Sequence, residues 1–231
     1  MKQLYDFETA HPHEMDEKFH PFNIGNIGNV IYWWKYFEMI QKVPGSIVEC
    51  GIGRGRSLIV LSAINAFLDE AEGGQRKVFG YDSFEGFPEP SAEDESYRNP
   101  KKGEWSTSPS GKYQYSPDFM RMVLREAKIP NVDDIVLTKG YFSDTCGHHP
   151  NEPIALLHVD GDLYQSYIDT LTSLYPQVSP GGLVVFDDYL EVEQGEDRWP
   201  GARKAVQDFF GPLANQIKTS VRGTQYLVKP I

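Results

Sequence analysis

Two apolar runs in this chain end on aspartates. Ile154-Ala155-Leu156-Leu157-His158-Val159 halts on Asp160-Gly161-Asp162, and Leu183-Val184-Val185-Phe186 halts on Asp187-Asp188. Oxygen-only ligands suit a hard cation such as Mg²⁺ or Mn²⁺, and Asp160, Asp187 and Asp188 would supply three from adjacent strand tips. Without a cation such a cluster repels itself. Helix capping explains one acid per helix, and Asp162, at the start of the following helix, is the residue expected to cap.

The elements around these acids set their geometry. Each run has the length of a buried parallel strand and lacks the alternation of a half-exposed one. Between them Leu163, Tyr167, Leu171, Leu174 and Tyr175 recur at helical spacing. Pro180-Gly181-Gly182 is expected to end that helix and turn the chain into the second strand. A strand, helix, strand unit is right-handed, so both carboxylate clusters emerge at the C-terminal edge of one parallel sheet, where α/β folds bind ligands.

A second candidate site lies upstream. Ser46–Cys50 reads as a strand that breaks into Gly51-Ile52-Gly53-Arg54-Gly55-Arg56-Ser57 before a helix over Leu58–Leu68. Strand, glycine turn and helix cradle a nucleotide, because the backbone approaches the ligand and the helix N-terminus offers free N–H groups. A dinucleotide fingerprint places its third glycine where Arg56 stands; here it is Gly55, with Glu49 two residues ahead of Gly51. A buried acid needs a cationic partner, and the α-ammonium of a methionine-like group would serve Glu49. Strand Val78–Asp82 ends on another acid, placed either for ribose hydroxyls or for a helix cap. Tyr141 and Phe142, just past strand Ile135–Lys139, suit an adenine face or plain core packing.

The rest of the chain frames these sites. Residues 1–22, with His11, His13 and His20, read as a solvated arm. A helix from Gly25 ends before Pro44-Gly45, and its rings Tyr32, Trp33, Trp34, Tyr36 and Phe37 exceed what one buried face needs, so some should wall a pocket or a dimer contact. Pro88 to Tyr115 is polar around Trp105, the composition of a lid or of disorder. A helix over Pro117–Ala127 follows, then His148 and His149 on a polar turn. Beyond the central unit come an acidic loop over Glu191–Arg198, a helix over Gly201–Phe210 and strands Ile217–Val221 and Gln225–Lys229. Five α/β strands and a closing β pair result.

Composition narrows the functional classes. At 231 residues and 40% hydrophobic the chain can bury one α/β core. Its 33 acids against 22 bases give a net charge of −11, a poor match for nucleic acid, whose affinity comes from phosphate neutralisation. There is no apolar run of membrane-spanning length and no signal-peptide core near Met1, so the expectation is a cytoplasmic protein without a membrane partner. Cys50 and Cys146 are expected as reduced thiols.

Taken together, Glu49 to Ser57, Gly80-Tyr-Asp-Ser-Phe-Glu-Gly-Phe87, Lys139-Gly-Tyr-Phe-Ser-Asp-Thr145, Asp160-Gly-Asp-Leu-Tyr-Gln-Ser166 and Pro180 through Asp187-Asp-Tyr189 resemble the macrocin-type O-methyltransferases, over roughly Ile47 to Val206. The resemblance implies a Rossmann-like class I methyltransferase fold: a mostly parallel seven-stranded sheet with an antiparallel closing strand over residues 46–231. Residues 1–45 would be an arm and helical cap, and 88–115 a lid insertion. It implies S-adenosylmethionine as donor, held by Glu49, Gly51, Gly53, Gly55, Ser57, Asp82, Ser83, Gly140, Tyr141 and Phe142. It further implies Mg²⁺ or Mn²⁺ at Asp160, Asp187 and Asp188, with Asp160 also receiving the proton of a small-molecule hydroxyl, foremost that of a sugar. A homo-oligomer is compatible. The family carries an acid where this chain has Gln165 and a tryptophan where it has Tyr141. Two other readings of the residues are a haloacid-dehalogenase-like phosphohydrolase built on Asp160-Gly161-Asp162 and a non-catalytic nucleoside-binding module.

Overall fold

The computed structural model describes residues 24–230 apart from 73, 75 and 194. The histidines His11, His13 and His20 therefore lie outside the described residues. The main sheet has parallel strands β1 (Ser46–Cys50), β2 (Val78–Asp82), β3 (Val136–Lys139), β4 (Ile154–Val159) and β5 (Val178–Phe186), closed by antiparallel β6 (Lys218–Thr219) and β7 (Gln225–Val228). Its order is β3-β2-β1-β4-β5-β7-β6. The crossovers run one way from β1 and the other way from β4, which makes the β1/β4 junction the topological switch point.

The continuous apolar runs are explained by helices on both faces. Alternate strand residues feed two cores: Ile47, Leu156, Leu183 and Val185 face one, Val48, Leu157, Val184 and Phe186 the other. The first is covered by α1 (Ile24–Ile40), α2 (Arg56–Glu72) and α3 (Pro117–Glu126). The second is covered by α5 (Tyr164–Leu174) and α6 (Pro200–Phe210), and the one-turn α4 (Phe142–Thr145) follows β3. In α1 the buried residues Tyr32, Trp33, Tyr36, Phe37 and Ile40 recur at helical spacing, so the ring-rich stretch is the inner face of the cap. No helix among the described residues is long and apolar enough to cross a membrane.

Register places the chemistry. Glu49 pairs with His158, Cys50 with Val159, and Val159 with Phe186. The residues immediately after these strands extend the ladder by one step: Gly51 N–H donates to Tyr81 O at 2.9 Å, Asp160 N–H to Cys50 O at 2.9 Å, and Asp187 N–H to Val159 O at 3.0 Å. Gly51 (φ +96°) must be glycine, because a Cβ there would stand 1.6 Å from Asp160 O.

Two expectations are corrected. Pro180-Gly181-Gly182 does not end the preceding helix; it lies inside β5, where the β4 register shifts between Ile154 and Leu156, while Tyr175–Gln177 form a 3₁₀ turn after α5. Gly181 N–H and Gly182 O bond Lys229 on the other side, so the glycines absorb a bulge. Asp162 does not cap α5. That helix is capped from the 88–115 segment, where buried Asp94 accepts the Tyr164 N–H at 2.7 Å. Asp162 instead adopts φ +59°, and its own N–H donates to Asp188 Oδ2 at 2.9 Å.

The 88–115 segment is thus tied to the domain at several points. Besides Asp94, Tyr115 is buried in the core, and Arg98 pairs with Glu104 at 2.6 Å while lying over Trp105 and Trp199. At Gly201 on α6 a Cβ would meet Asp94 Oδ1 at 1.8 Å, so the Asp94 cap and the α6 approach depend on each other. Gly201→Ala should destabilise the protein by about 1–3 kcal/mol through overpacking, and Asp94→Ala by about 0.5–2 kcal/mol through loss of the cap. In chemical denaturation the double variant should cost less than the sum of the two, since the carboxylate that the methyl strikes is gone.

Candidate active site

The C-terminal edge of the sheet carries two cavities. One, of about 400 Å³, is bounded by Gly51 and Gly53 of the glycine turn, Asp82 at the end of β2 with Ser83 and Phe87 beyond it, Tyr141 and Phe142 after β3, and Trp105 of the insertion. The other, of about 440 Å³, is bounded by Tyr32 and Trp33 of α1, Arg56 and Ser57, His158, Asp187, and Arg222 in the β6–β7 turn. Among the described residues Asp160 alone lines both. A larger hollow of about 750 Å³ along Val78–Tyr81 and Val136–Thr138 holds none of the anticipated site residues.

In the first cavity, Asp82 organises the glycine turn. Its Oδ2 accepts from Ile52 N–H at 2.8 Å and Gly53 N–H at 2.9 Å, and its Oδ1 accepts from Phe84 N–H at 2.6 Å. Burial raises the Asp82 carboxyl above its ordinary range, against the lowering effect of these three bonds. Gly55 and Gly140 stand off the cavity wall. A Cβ on Gly55 would meet Met120 Sδ at 2.4 Å, and one on Gly140 would meet Thr145 Cγ2 at 2.7 Å, so both permit close packing. Ser57 turns to the other cavity and donates to Glu49 Oε1.

Glu49 lines neither cavity. It is fully buried, and its cationic partner comes from the protein: His158 Nδ1 lies 3.0 Å from Glu49 Oε1. Burial works to lower the His158 pKa, but Asp187 and Glu49 override it and hold the imidazole well above its ordinary value. Trp33 packs edge-on to that ring at 4.8 Å. His158 Nε2 lies 3.9 Å from Asp187 Oδ1, beyond hydrogen-bond range.

Asp160, Asp187 and Asp188 each present a carboxylate oxygen within 4.8 Å of the other two. Burial, then the charges of Asp187 and Asp188, push Asp160 well above the carboxylate range. Asp188, buried and next to Asp187, is pushed up to about 7, although its Oδ2 accepts from Asp162 N–H and from Tyr167 Oη–H at 3.0 Å. Asp187, whose side chain is half exposed, is held below the usual value by His158, Arg222 and Arg56. Three carboxylates this close, two of them driven toward protonation, form a donor set matched to a hard divalent cation.

The structure therefore gathers Asp160, Asp187 and Asp188, and separately Gly51, Gly53, Asp82, Ser83, Tyr141 and Phe142. Neither His148 nor His149 lines either cavity; buried His149 lies 2.7 Å from Tyr81 Oη and packs on Phe79. Of the α1 rings singled out, Tyr32 and Trp33 do wall a cavity. His158, Arg56 and Arg222 were not anticipated. His158 had a signal, as the one polar residue in an otherwise apolar strand placed in register with buried Glu49.

Comparison with known proteins follows this geometry. The chain is 37% identical over 178 residues to the 8-demethyl-8-(2,3-dimethoxy-α-L-rhamnosyl)-tetracenomycin-C 4′-O-methyltransferase of Streptomyces olivaceus, covering 75% of the chain and 60% of that relative. It is 35% identical over 150 residues to the demethyldecarbamoylnovobiocin O-methyltransferase of Streptomyces niveus, covering 65% of the chain and 55% of that relative. The chain thus spans little more than half of these relatives' length. The solved structure of the calicheamicin methyltransferase CalS11 superposes with a TM-score of 0.76 over 97% of this chain and 89% of that one, at 22% identity, and shows the same class I methyltransferase fold. The family model described as macrocin-O-methyltransferase (TylF) matches residues 37–222, and the chain belongs to that family.

Proposed function

We propose that this protein transfers the methyl group of S-adenosylmethionine to a hydroxyl of a small molecule, foremost a sugar hydroxyl of a natural product, with Mg²⁺ or Mn²⁺ at Asp160, Asp187 and Asp188. The observation that carries the reading is the position of Asp160, the one described residue on the walls of both cavities. The 400 Å³ cavity is the donor site. Its glycine turn lets backbone approach a nucleoside, Asp82 has acceptor capacity beyond its three backbone bonds, and Tyr141 and Phe142 offer apolar rings. The 440 Å³ cavity is the acceptor site.

A bound divalent cation supplies Lewis acidity, which lowers the pKa of an alcohol as it does that of water, and S-adenosylmethionine supplies the electrophilic methyl. The chain's own residues orient the reactants and manage the proton. Asp160, at the junction, takes the hydroxyl proton as the acceptor oxygen is methylated. Ser57, Glu49 and His158 hold the wall between the two sites from behind, with Glu49 Oε1 bonded to both neighbours and Oε2 left without a partner among the described residues, available to the donor. The cytoplasm is the compartment in which we place the enzyme, where buried Cys50 and Cys146 remain free thiols. Residues 98–107, which put Glu104 and Trp105 on the cavity wall and Arg98 over Trp105 and Trp199, form the part of the insertion that closes over the donor.

Four measurements bear on this reading. Asp160→Asn should lower methyl transfer by about 10²–10⁴-fold, the contribution of a positioned proton acceptor, while S-adenosylhomocysteine binding stays near wild type. Activity lost in excess chelator should return with Mg²⁺ or Mn²⁺; full turnover of a metal-free sample would refute the metal assignment. Asp82→Ala should weaken S-adenosylhomocysteine about five- to hundredfold by calorimetry, the cost of about 1–3 kcal/mol for buried hydrogen bonds. Hydrogen exchange across residues 98–107 should slow when donor is added, and equal protection in the free protein would show a static wall.

A further inference from the structure

Trp105 borders the 400 Å³ cavity in a backbone conformation that bulky residues rarely adopt, with φ at +66°. Such a conformation persists only where its surroundings enforce it. Here they do so from both sides. Gly103 N–H donates to Phe87 O at 2.9 Å and Phe87 N–H to Glu104 O at 3.1 Å, and a Cβ on Gly86 would stand 2.2 Å from Glu104 O, so the two backbone stretches lie in close contact. Beyond Trp105, Tyr115 N–H donates to Ser106 O at 3.2 Å, and Thr107 bridges Gln114. Fixed backbone therefore flanks one left-handed tryptophan.

Packing within the fold does not consume the whole ring. The indole centroid lies 5.0 Å from that of Phe87, 5.7 Å from that of Trp199 and 5.2 Å from the Arg98 guanidinium carbon. Phe87 and Trp199 are 7% and 2% exposed, whereas Trp105 keeps 47% of its surface open. Backbone strain of this kind collects at ligand clamps, and a ring needed only for the Phe87–Trp199 contact would be buried as its two neighbours are.

The position of the ring in the cavity identifies the part of the donor it would meet. Methyl transfer belongs at Asp160, where the two cavities adjoin, and Trp105 borders only one of them. Its ring neighbour Phe87 lies five residues past Asp82, the acid read as serving the ribose. A flat base gives an indole a stacking partner, which an aliphatic amino-acid chain does not.

The geometry points to Trp105 as a donor-binding residue whose indole lies against the adenine of S-adenosylmethionine, adding a wall from the insertion to the rings of Tyr141 and Phe142. This rests on the donor-site reading above and assigns the strained tryptophan a part in it.

The test is calorimetry with S-adenosylhomocysteine and with methylthioadenosine, which keeps the nucleoside and lacks the amino-acid half. Trp105→Leu, which removes the aromatic face, should weaken both by the same factor, about five- to hundredfold. Trp105→Phe should recover most of the loss. In turnover, Trp105→Leu should raise the KM for S-adenosylmethionine by a similar factor and leave kcat near wild type. Tryptophan emission supplies a reading that does not depend on the leucine variant folding: S-adenosylhomocysteine should change the emission of the wild type, and that change should be largely lost in Trp105→Phe. Unchanged S-adenosylhomocysteine affinity in Trp105→Leu, a loss that spares methylthioadenosine, a wild type that binds S-adenosylhomocysteine but not methylthioadenosine, or an undiminished emission change in Trp105→Phe would each overturn the inference. Failure of the wild type to bind S-adenosylhomocysteine at all would count against the donor-site reading instead.

Discussion

Three carboxylates held within 4.8 Å of one another at the edge of a sheet cannot all carry charge unless something opposes it. The architecture around the β1/β4 switch point is arranged about that constraint. Parallel register brings Asp160 and Asp187 out on neighbouring strands, and the left-handed backbone at Asp162 turns its N–H onto Asp188. His158 lies between Glu49 and Asp187, so the protein's own compensation reaches Asp187 but leaves Asp160 and Asp188 driven toward protonation. The remaining deficit is what a divalent cation would fill.

The same constraint separates the two cavities. Gly51 and Asp160 stand so close across the switch point that only a glycine fits. In the cavity proposed for the donor the sheet edge contributes backbone, Asp82 and the rings of Tyr141 and Phe142; in the one proposed for the acceptor α1 contributes rings and the β6–β7 turn Arg222. The cavity proposed for the donor thus draws on the sheet-edge turns and the insertion, whereas the one proposed for the acceptor adds the N-terminal cap and the closing β pair to the sheet edge.

Much of this was legible in the sequence, for identifiable reasons. Strands β1, β2 and β4 were bounded correctly because each is a short apolar run cut off by a glycine or an acid, and the pairing of Asp160 with Asp187 follows from right-handed crossovers alone. Pro180-Gly181-Gly182 was misread because a proline and two glycines signal a turn locally, while pairing with β4 and β7 carries the strand through them as a bulge. The cap of α5 was misassigned because Asp94 lies seventy residues upstream of Tyr164, a tertiary contact with no local trace. Arg56 and Arg222 could not be joined to one site until the fold brought the α2 N-terminus and the β6–β7 turn to the same cavity. Glu49 was read as needing a cation, with a methionine-like α-ammonium as one that would serve, and in the fold His158 of the adjoining strand lies against it.

The most direct test of the central claim is a crystal structure of the protein grown with S-adenosylhomocysteine and Mn²⁺, with anomalous data that locate the metal. One manganese peak coordinated by Asp160, Asp187 and Asp188 is expected, at about 2.0–2.2 Å as for a small hard cation, with the nucleoside in the cavity between Gly51 and Asp82. A nucleoside elsewhere, or a fully occupied donor site with no manganese at the three aspartates, would contradict it.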